Sequence, residues 1–357
     1  MDASNQHPMT VVPGYHSSTP GIQIATQMPS RATEEAGVRV AAAPAEDDIA
    51  FARQMGIEWV MTGLDDVRDH NAETYLALRH HYEAHGVRIY RLANHSVHNM
   101  EEVTLNLPGR EAKIEEYLAY IRNLGAAGIH YATYAHMGNG IWSTEREEIR
   151  GGAVSRAFRL DRAVEGHWVG RTWQAPLTHG RRYSEDELWD NYAYFIRRVV
   201  PVAEEAGVYI GIHPDDPPVY DLGGVPRSLF GAFDGYRRAL EIAGSPNVGV
   251  CLCVGCWLEG GSAMGADVVE AIRYFGTRRQ LFKIHLRNVT APLPEGFAET
   301  FLDDGYGDML AIMRALHEVG FDGAVISDHL QEMVGGRRAA ESYAIGYMRG
   351  LKQAVEG

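Results

Sequence analysis

The chain has 357 residues, a formal net charge of −14 and 45% hydrophobic residues. Such an acidic surface argues against nucleic acid and against anionic membranes, and no basic stripe offsets it. The sequence has no run of about 18 apolar residues that could span a membrane. Nor does it have a basic segment followed by an apolar one, so no secretory signal is expected.

Its three cysteines, Cys251, Cys253 and Cys256, are clustered and do not suggest a disulfide framework. A reducing cytoplasm is the expected location. On length alone, about two domains of ~150 residues or one α/β barrel would fit.

Residues 1–20 are polar, with scattered Pro, Ser and Gly, and read as a tail. The expected catalytic domain is 21–357. Two stretches compete for the first strand: Gly21-Ile-Gln-Ile-Ala-Thr26-Gln and Gly37-Val-Arg-Val-Ala-Ala. A helix from Pro44 to about Met55 carries acids in its first turn, where the helix dipole favours them. Alternation then sets in: strand 57–61, helix 70–85, strand 87–92, helix 110–125 and strand 129–133. A Gly- and Arg-rich excursion follows over 138–182. A capping box, Ser184 with Glu187, opens the next helix, and Gly207 stops it. Strands 208–212, 248–253, 281–286 and 323–327 then alternate with helices 226–243, 264–275, 306–319 and 337–354.

Repeated strand–helix alternation implies parallel strands with right-handed crossovers. Eight such pairs predict a single (β/α)8 barrel, whose chemistry lies at the carboxyl ends of its strands. Four consecutive strands end on side chains of the metal-ligand type: His213, Cys253, His285 and Asp328. Each alone has an ordinary reading, as a hydrogen-bonded histidine, a small buried thiol or a helix cap. Adjacent barrel strands converge on one mouth, so the four together point to a metal site. Cys251 shares a strand face with Cys253 but lies deeper. Mixed N, S and O donors suit Mn, Fe, Co or Zn rather than Mg or Ca. With four protein ligands, open positions for a substrate favour Mn2+ or Fe2+. The rest of the mouth is polar and partly cationic, with His98, Arg227, Arg287 and Asn288 as candidates to hold a substrate. The two arginines could grip a carboxylate.

These stretches resemble the D-mannonate dehydratases. The similarity runs from about residue 50 onward, through Val97-His98-Asn-Met-Glu-Glu-Val, Leu107-Pro-Gly-Arg110 and His213-Pro-Asp-Asp-Pro-Pro218. It continues through Cys253-Val-Gly, His285-Leu-Arg-Asn-Val289 and Asp328-His329. The resemblance implies a metal-dependent lyase that eliminates water from a sugar acid. Its His, Cys, His and Asp ligands would be His213, Cys253, His285 and Asp328, and its acid–base histidine would be His329. The expected partners are a small-molecule sugar acid and further copies of the chain in a homo-oligomer.

One departure stands out. The family usually reads Asp-His-Gly-Arg, followed by a segment with a catalytic tyrosine. This chain reads Asp328-His329-Leu330-Gln331 and then a shortened stretch to Arg338. Tyr306, Tyr343 or Tyr347 would have to substitute. That departure leaves two alternatives open: a sugar isomerase or epimerase on the same barrel, or a catalytically silent sugar-binding homologue.

Overall fold

The structure is a computed structural model that describes residues 21–29, 31–35, 38–42 and 46–357. The expected tail lies outside the described residues. Eight barrel strands run in chain order. β1 comes in two pieces, Gln23–Ile24 and Thr26–Gln27. It is followed by β2 (Trp59–Leu64), β3 (Arg88–Asn94), β4 (Tyr131–Ala135), β5 (Tyr209–His213), β6 (Val248–Cys253), β7 (Leu281–Leu286) and β8 (Ala324–Ser327). A helix follows each: α1 (Glu46–Gln54), α2 (Ala72–Ala84), α3 (Arg110–Ala126), α4 (Glu185–Ala206), α5 (Phe233–Ala243), α6 (Val268–Thr277), α7 (Met309–Glu318) and α8 (Gly336–Glu356).

All ladders between these strands are parallel, running β4–β5–β6–β7–β8–β1 and on through β2 to β3. The two pieces of β1 pair with different neighbours, β8 and β2, and so join the two halves. Between β3 and β4 the described residues form no ladder. There the rings of Tyr90 and Tyr131 pack 5.2 Å apart, and Asn99 makes a single bridge to Ala135. The ladder of this (β/α)8 barrel is thus interrupted along one seam, between β3 and β4.

The strands read as apolar runs because both faces are covered, by helices outside and by barrel contents inside. β6 and β7 are buried at every position. An inner cluster of Trp59, Met61, Tyr90, Tyr131, Phe282 and Ile326 plugs the barrel, and residues further along the strands reach its mouth. α4 begins at the predicted Ser184–Glu187 capping box and ends at Gly207, whose φ of 63° suits glycine.

Two helix bounds need correction, and the open choice of first strand is decided. The first strand is the Gly21 candidate; Val38–Ala42 pairs antiparallel with Arg31–Glu35 instead, while Gly37 lies outside the described residues. The helix expected over 226–243 begins only at Phe233. Arg227 turns inward and its guanidinium donates to the carbonyls of Asp216 and Pro217, so this segment wraps over the mouth. The helix expected over 264–275 covers 268–277, and a short helix, Val254–Gly260, follows β6 directly. The excursion is not featureless. Glu165–Trp168 pairs antiparallel with Arg171–Gln174 and Ile141–Trp142, while Ala157–Phe158 pairs with Phe297–Thr300 from the loop after β7.

Candidate metal centre

Four adjacent strands bring one donor each to a single point. His213 and Cys253 are the last residues of β5 and β6, His285 lies in β7, and Asp328 follows β8. Parallel register sets Cys253 opposite His285 and His285 opposite Ile326, so Asp328, two residues on, projects to the same side. The four donor atoms lie within 4.8 Å of one another. His213 Nε2 is 3.2 Å from His285 Nδ1, which is 3.1 Å from Asp328 Oδ1. The carbonyl of Pro214 accepts from His213 Nδ1 at 2.8 Å, which turns Nε2 towards the cluster.

Burial opposes charge on every member, and the neighbours outweigh it. Asp328 and then Cys251 hold His285 well above its ordinary value. Contact with Cys253 raises His213. A hydrogen bond with Cys256, the Arg287 charge and the two imidazoles keep the Cys253 thiol well down. His285, then His329 and Arg287, depress Asp328. The local field thus favours positive charge between a thiolate and a carboxylate. A divalent cation could take the place of the imidazole protons there, and N, S and O donors together suit a borderline transition ion.

Around this cluster lies a second, denser charge network that sequence reasoning saw only in part. Arg287, 1% exposed, donates from Nη2 to Glu259 at 2.7 Å, Asp216 at 3.2 Å and Cys256 Sγ at 3.2 Å. Its Nη1 lies 3.1 Å from both Asp328 Oδ2 and Glu299 Oε1. Arg156 joins in, donating to Asp216 at 2.6 Å and to Glu299 at 2.9 Å. Asp216, Cys256 and Glu259 also come close enough to share an ion, but the Arg287 guanidinium already occupies that role.

Burial and then the charge of Asp216 push Glu259 well up. Its Oε2 has no hydrogen-bond partner. Despite burial, Arg156 and Arg287 hold Asp216 well down. A side chain at Gly255 would lie 2.0 Å from Arg287 Nε, so only glycine lets the short helix pass. Arg287→Met should destabilise the chain by about 3–5 kcal/mol, because it strands buried carboxylates. Denaturant unfolding would check this, and an unchanged midpoint would contradict it.

The other predicted substrate residues are placed differently. Arg227 is 1% exposed and donates to the carbonyls of Asp216, Pro217 and Gly140 and to Asn139 Oδ1. Asn288 donates to the carbonyls of Leu302 and Gly307 and accepts from the Val289 and Gly307 amides. Both residues brace loops. His98 stacks on Trp168 of the excursion, with ring centroids 5.1 Å apart, and its Nδ1 lies 3.2 Å from Arg91 Nη2.

Asp328 and His329 open into a cleft of about 1030 Å³, whose walls include Gln27, Arg146, Arg150, Arg156 and Glu299. A cleft of similar size, about 1000 Å³, lies at the opposite end of the barrel among Arg53, Arg88 and Lys352. None of the clustered donors reaches it. Sequence reasoning missed Arg156 and Glu299. The one available signal was a lone carboxylate in the alternating Phe297-Ala-Glu-Thr-Phe301.

A family model described as D-mannonate dehydratase (UxuA) matches residues 44–172 and 171–357. The chain belongs to the D-mannonate dehydratase family. It is therefore a lyase of the hydro-lyase kind. A mannonate dehydratase from Streptococcus equi subsp. zooepidemicus is 32% identical over 318 residues, covering 83% of this chain and 85% of the relative. The crystal structure of mannonate dehydratase from Streptococcus suis serotype 2 has a TM-score of 0.77 at 27% identity, with 94% of each chain covered. A xylose isomerase domain protein from Planctomyces limnophilus, at 13% identity and a TM-score of 0.59, covers 95% of this chain and 99% of its own. That last likeness concerns the barrel fold alone.

The segment after His329 is fastened at two points. Gln331 Nε2 donates to the Thr300 carbonyl at 2.9 Å, and Glu332 pairs antiparallel with Val154 of the excursion. The shortened stretch is thus tied across the cleft. Among the described residues lining that cleft there is no tyrosine. Tyr306 donates to the Leu258 carbonyl, and Tyr343 donates to Asp303 and stacks on Tyr347. Among the described residues, no helix is long and apolar enough to cross a membrane.

Proposed function

We propose that the chain eliminates water from D-mannonate, giving 2-dehydro-3-deoxy-D-gluconate, with His213, Cys253, His285 and Asp328 holding Mn2+ or Fe2+. The observation that carries this reading is the meeting of those four donors beside His329 in a chain of this family. A divalent ion bound there supplies Lewis-acid stabilisation to the carboxylate end of the sugar acid. The chain's own residues do the rest.

In the reaction, the proton on the carbon beside the carboxylate leaves to a base, the hydroxyl on the next carbon leaves as water, and the resulting enol becomes the ketone. His329 is the proton-handling side chain. Although burial would lower it, Glu299 and then Asp328 raise its pKa. Asp328 Oδ2 lies 3.6 Å from its Nε2. Arg287 fixes Asp328 from behind rather than gripping the substrate. The cations of the excursion that line the cleft are Arg146, paired with Glu332, and Arg150, paired with Asp303.

With added Mn2+, D-mannonate should yield a 2-keto-3-deoxy acid while epimeric hexonates yield far less, as read by a colorimetric or NMR assay. Isomerised acid of unchanged formula, or no turnover of any hexonate with Mn2+ or Fe2+, would overturn the assignment.

A further inference from the structure

The cleft holds one carboxylate that neither the candidate metal centre nor the substrate accounts for. Glu299 comes from Phe297–Thr300, the short strand between β7 and α7, and is 1% exposed. Its Oε1 lies 2.7 Å from His329 Nδ1, 2.9 Å from Arg156 Nη1 and 3.1 Å from Arg287 Nη1. Arg287 Nη1 is itself 2.9 Å from His329 Nδ1. These contacts cannot all be hydrogen bonds. A bare Nδ1 would accept from Arg287, but its lone pair would then face a carboxylate oxygen at 2.7 Å. A protonated Nδ1 donates to Glu299 and merely sits beside Arg287, both pointing at one oxygen. Only the second arrangement is free of lone-pair repulsion.

We infer that Glu299 is a positioning residue that accepts the Nδ1 proton of His329 and thereby leaves Nε2 as the nitrogen that exchanges a proton with the substrate. Nε2 is the ring nitrogen on the side of Asp328, 3.6 Å from Oδ2. When Nε2 takes the substrate's proton, the N–H bond forms as the C–H bond breaks, and the ring's new charge rests against a fixed carboxylate. Arg156 and Arg287 hold that carboxylate from two sides, so its direction is set before the substrate enters. A short, alternating strand suits this task because it is paired on both edges, with Ala157–Phe158 and with Asn288–Val289. The same logic explains how a member of the family with a shortened segment after His329 still orients that ring.

Two readouts test this. The first does not depend on turnover. In zinc-loaded protein labelled with 15N-histidine, with His329 identified by its loss in His329→Asn, the neutral ring should carry its proton on Nδ1. A neutral ring protonated on Nε2 overturns the inference. The second rests on the proposed dehydration. Glu299→Gln should lower kcat about 10²-fold with KM and metal content within twofold. In a His329→Asn background the same change should cost less than twofold, because the residue acts through the ring. Equal losses in both backgrounds, or loss of metal, would mean a merely structural role and overturn it. If no hexonate is turned over, the proposed reaction fails while the nitrogen spectrum still decides the role of Glu299.

Discussion

Replacing Cys253 by alanine is expected to strip the chain of its divalent ion and abolish dehydration. Cys253 ends β6 with no solvent exposure, and its thiol is held well down by the Cys256 contact, by Arg287 and by the two imidazoles. Its sulfur is the softest donor of the four, and these neighbours favour the thiolate that binds metal. Losing an outer-shell partner typically costs ~10–100-fold in metal affinity, and losing a donor atom should cost more. Elemental analysis of protein purified without chelator should find about one transition ion per parent chain and little in the variant. Cys251→Ala serves as the control. Its thiol is 3.6 Å from His285 Nε2 but outside the cluster of four, so most of the ion should remain. A Cys253→Ala protein that keeps its full metal would remove Cys253 from the ligand set.

Asparagine at His329 should act differently. His329 sits beside Asp328, yet its ring is engaged by Glu299 and is not among the four clustered donors. The ion should stay while kcat falls by ~10²–10⁴-fold, the usual worth of a positioned acid or base. KM should change little, because Arg146 and Arg150 of the cleft wall are untouched. Near-normal turnover would show that another group moves the proton. Loss of the ion together with activity would instead make His329 a ligand. The Arg287 variant described above differs from both, since its main effect is on unfolding.

The sequence itself carried the barrel and the ion-binding cluster. Strand–helix alternation with continuous apolar strands left few topologies, because parallel strands need crossovers and both sheet faces must be covered. Once the strands were placed, His213, Cys253, His285 and Asp328 had to meet, since every strand of a parallel barrel points the same way.

What the sequence could not reveal was which charges pair across loops. Arg227, Arg287 and Asn288 looked like substrate residues, because a cation or amide after a strand is ambiguous by itself. Tertiary structure decided their neighbours. Arg227 is held by main-chain carbonyls of its own loop and by Asn139 and Gly140 of the excursion, and Asn288 by main-chain groups of its own loop. Arg287 is enclosed by carboxylates from the segments after β5, β6, β7 and β8. Arg156 and Glu299 went unseen for the same reason. They lie 143 positions apart, and an ion pair across such a distance leaves no local pattern. It forms because the excursion and the loop after β7 pair as antiparallel strands over the barrel mouth, and burial there makes an unpaired charge too costly to keep.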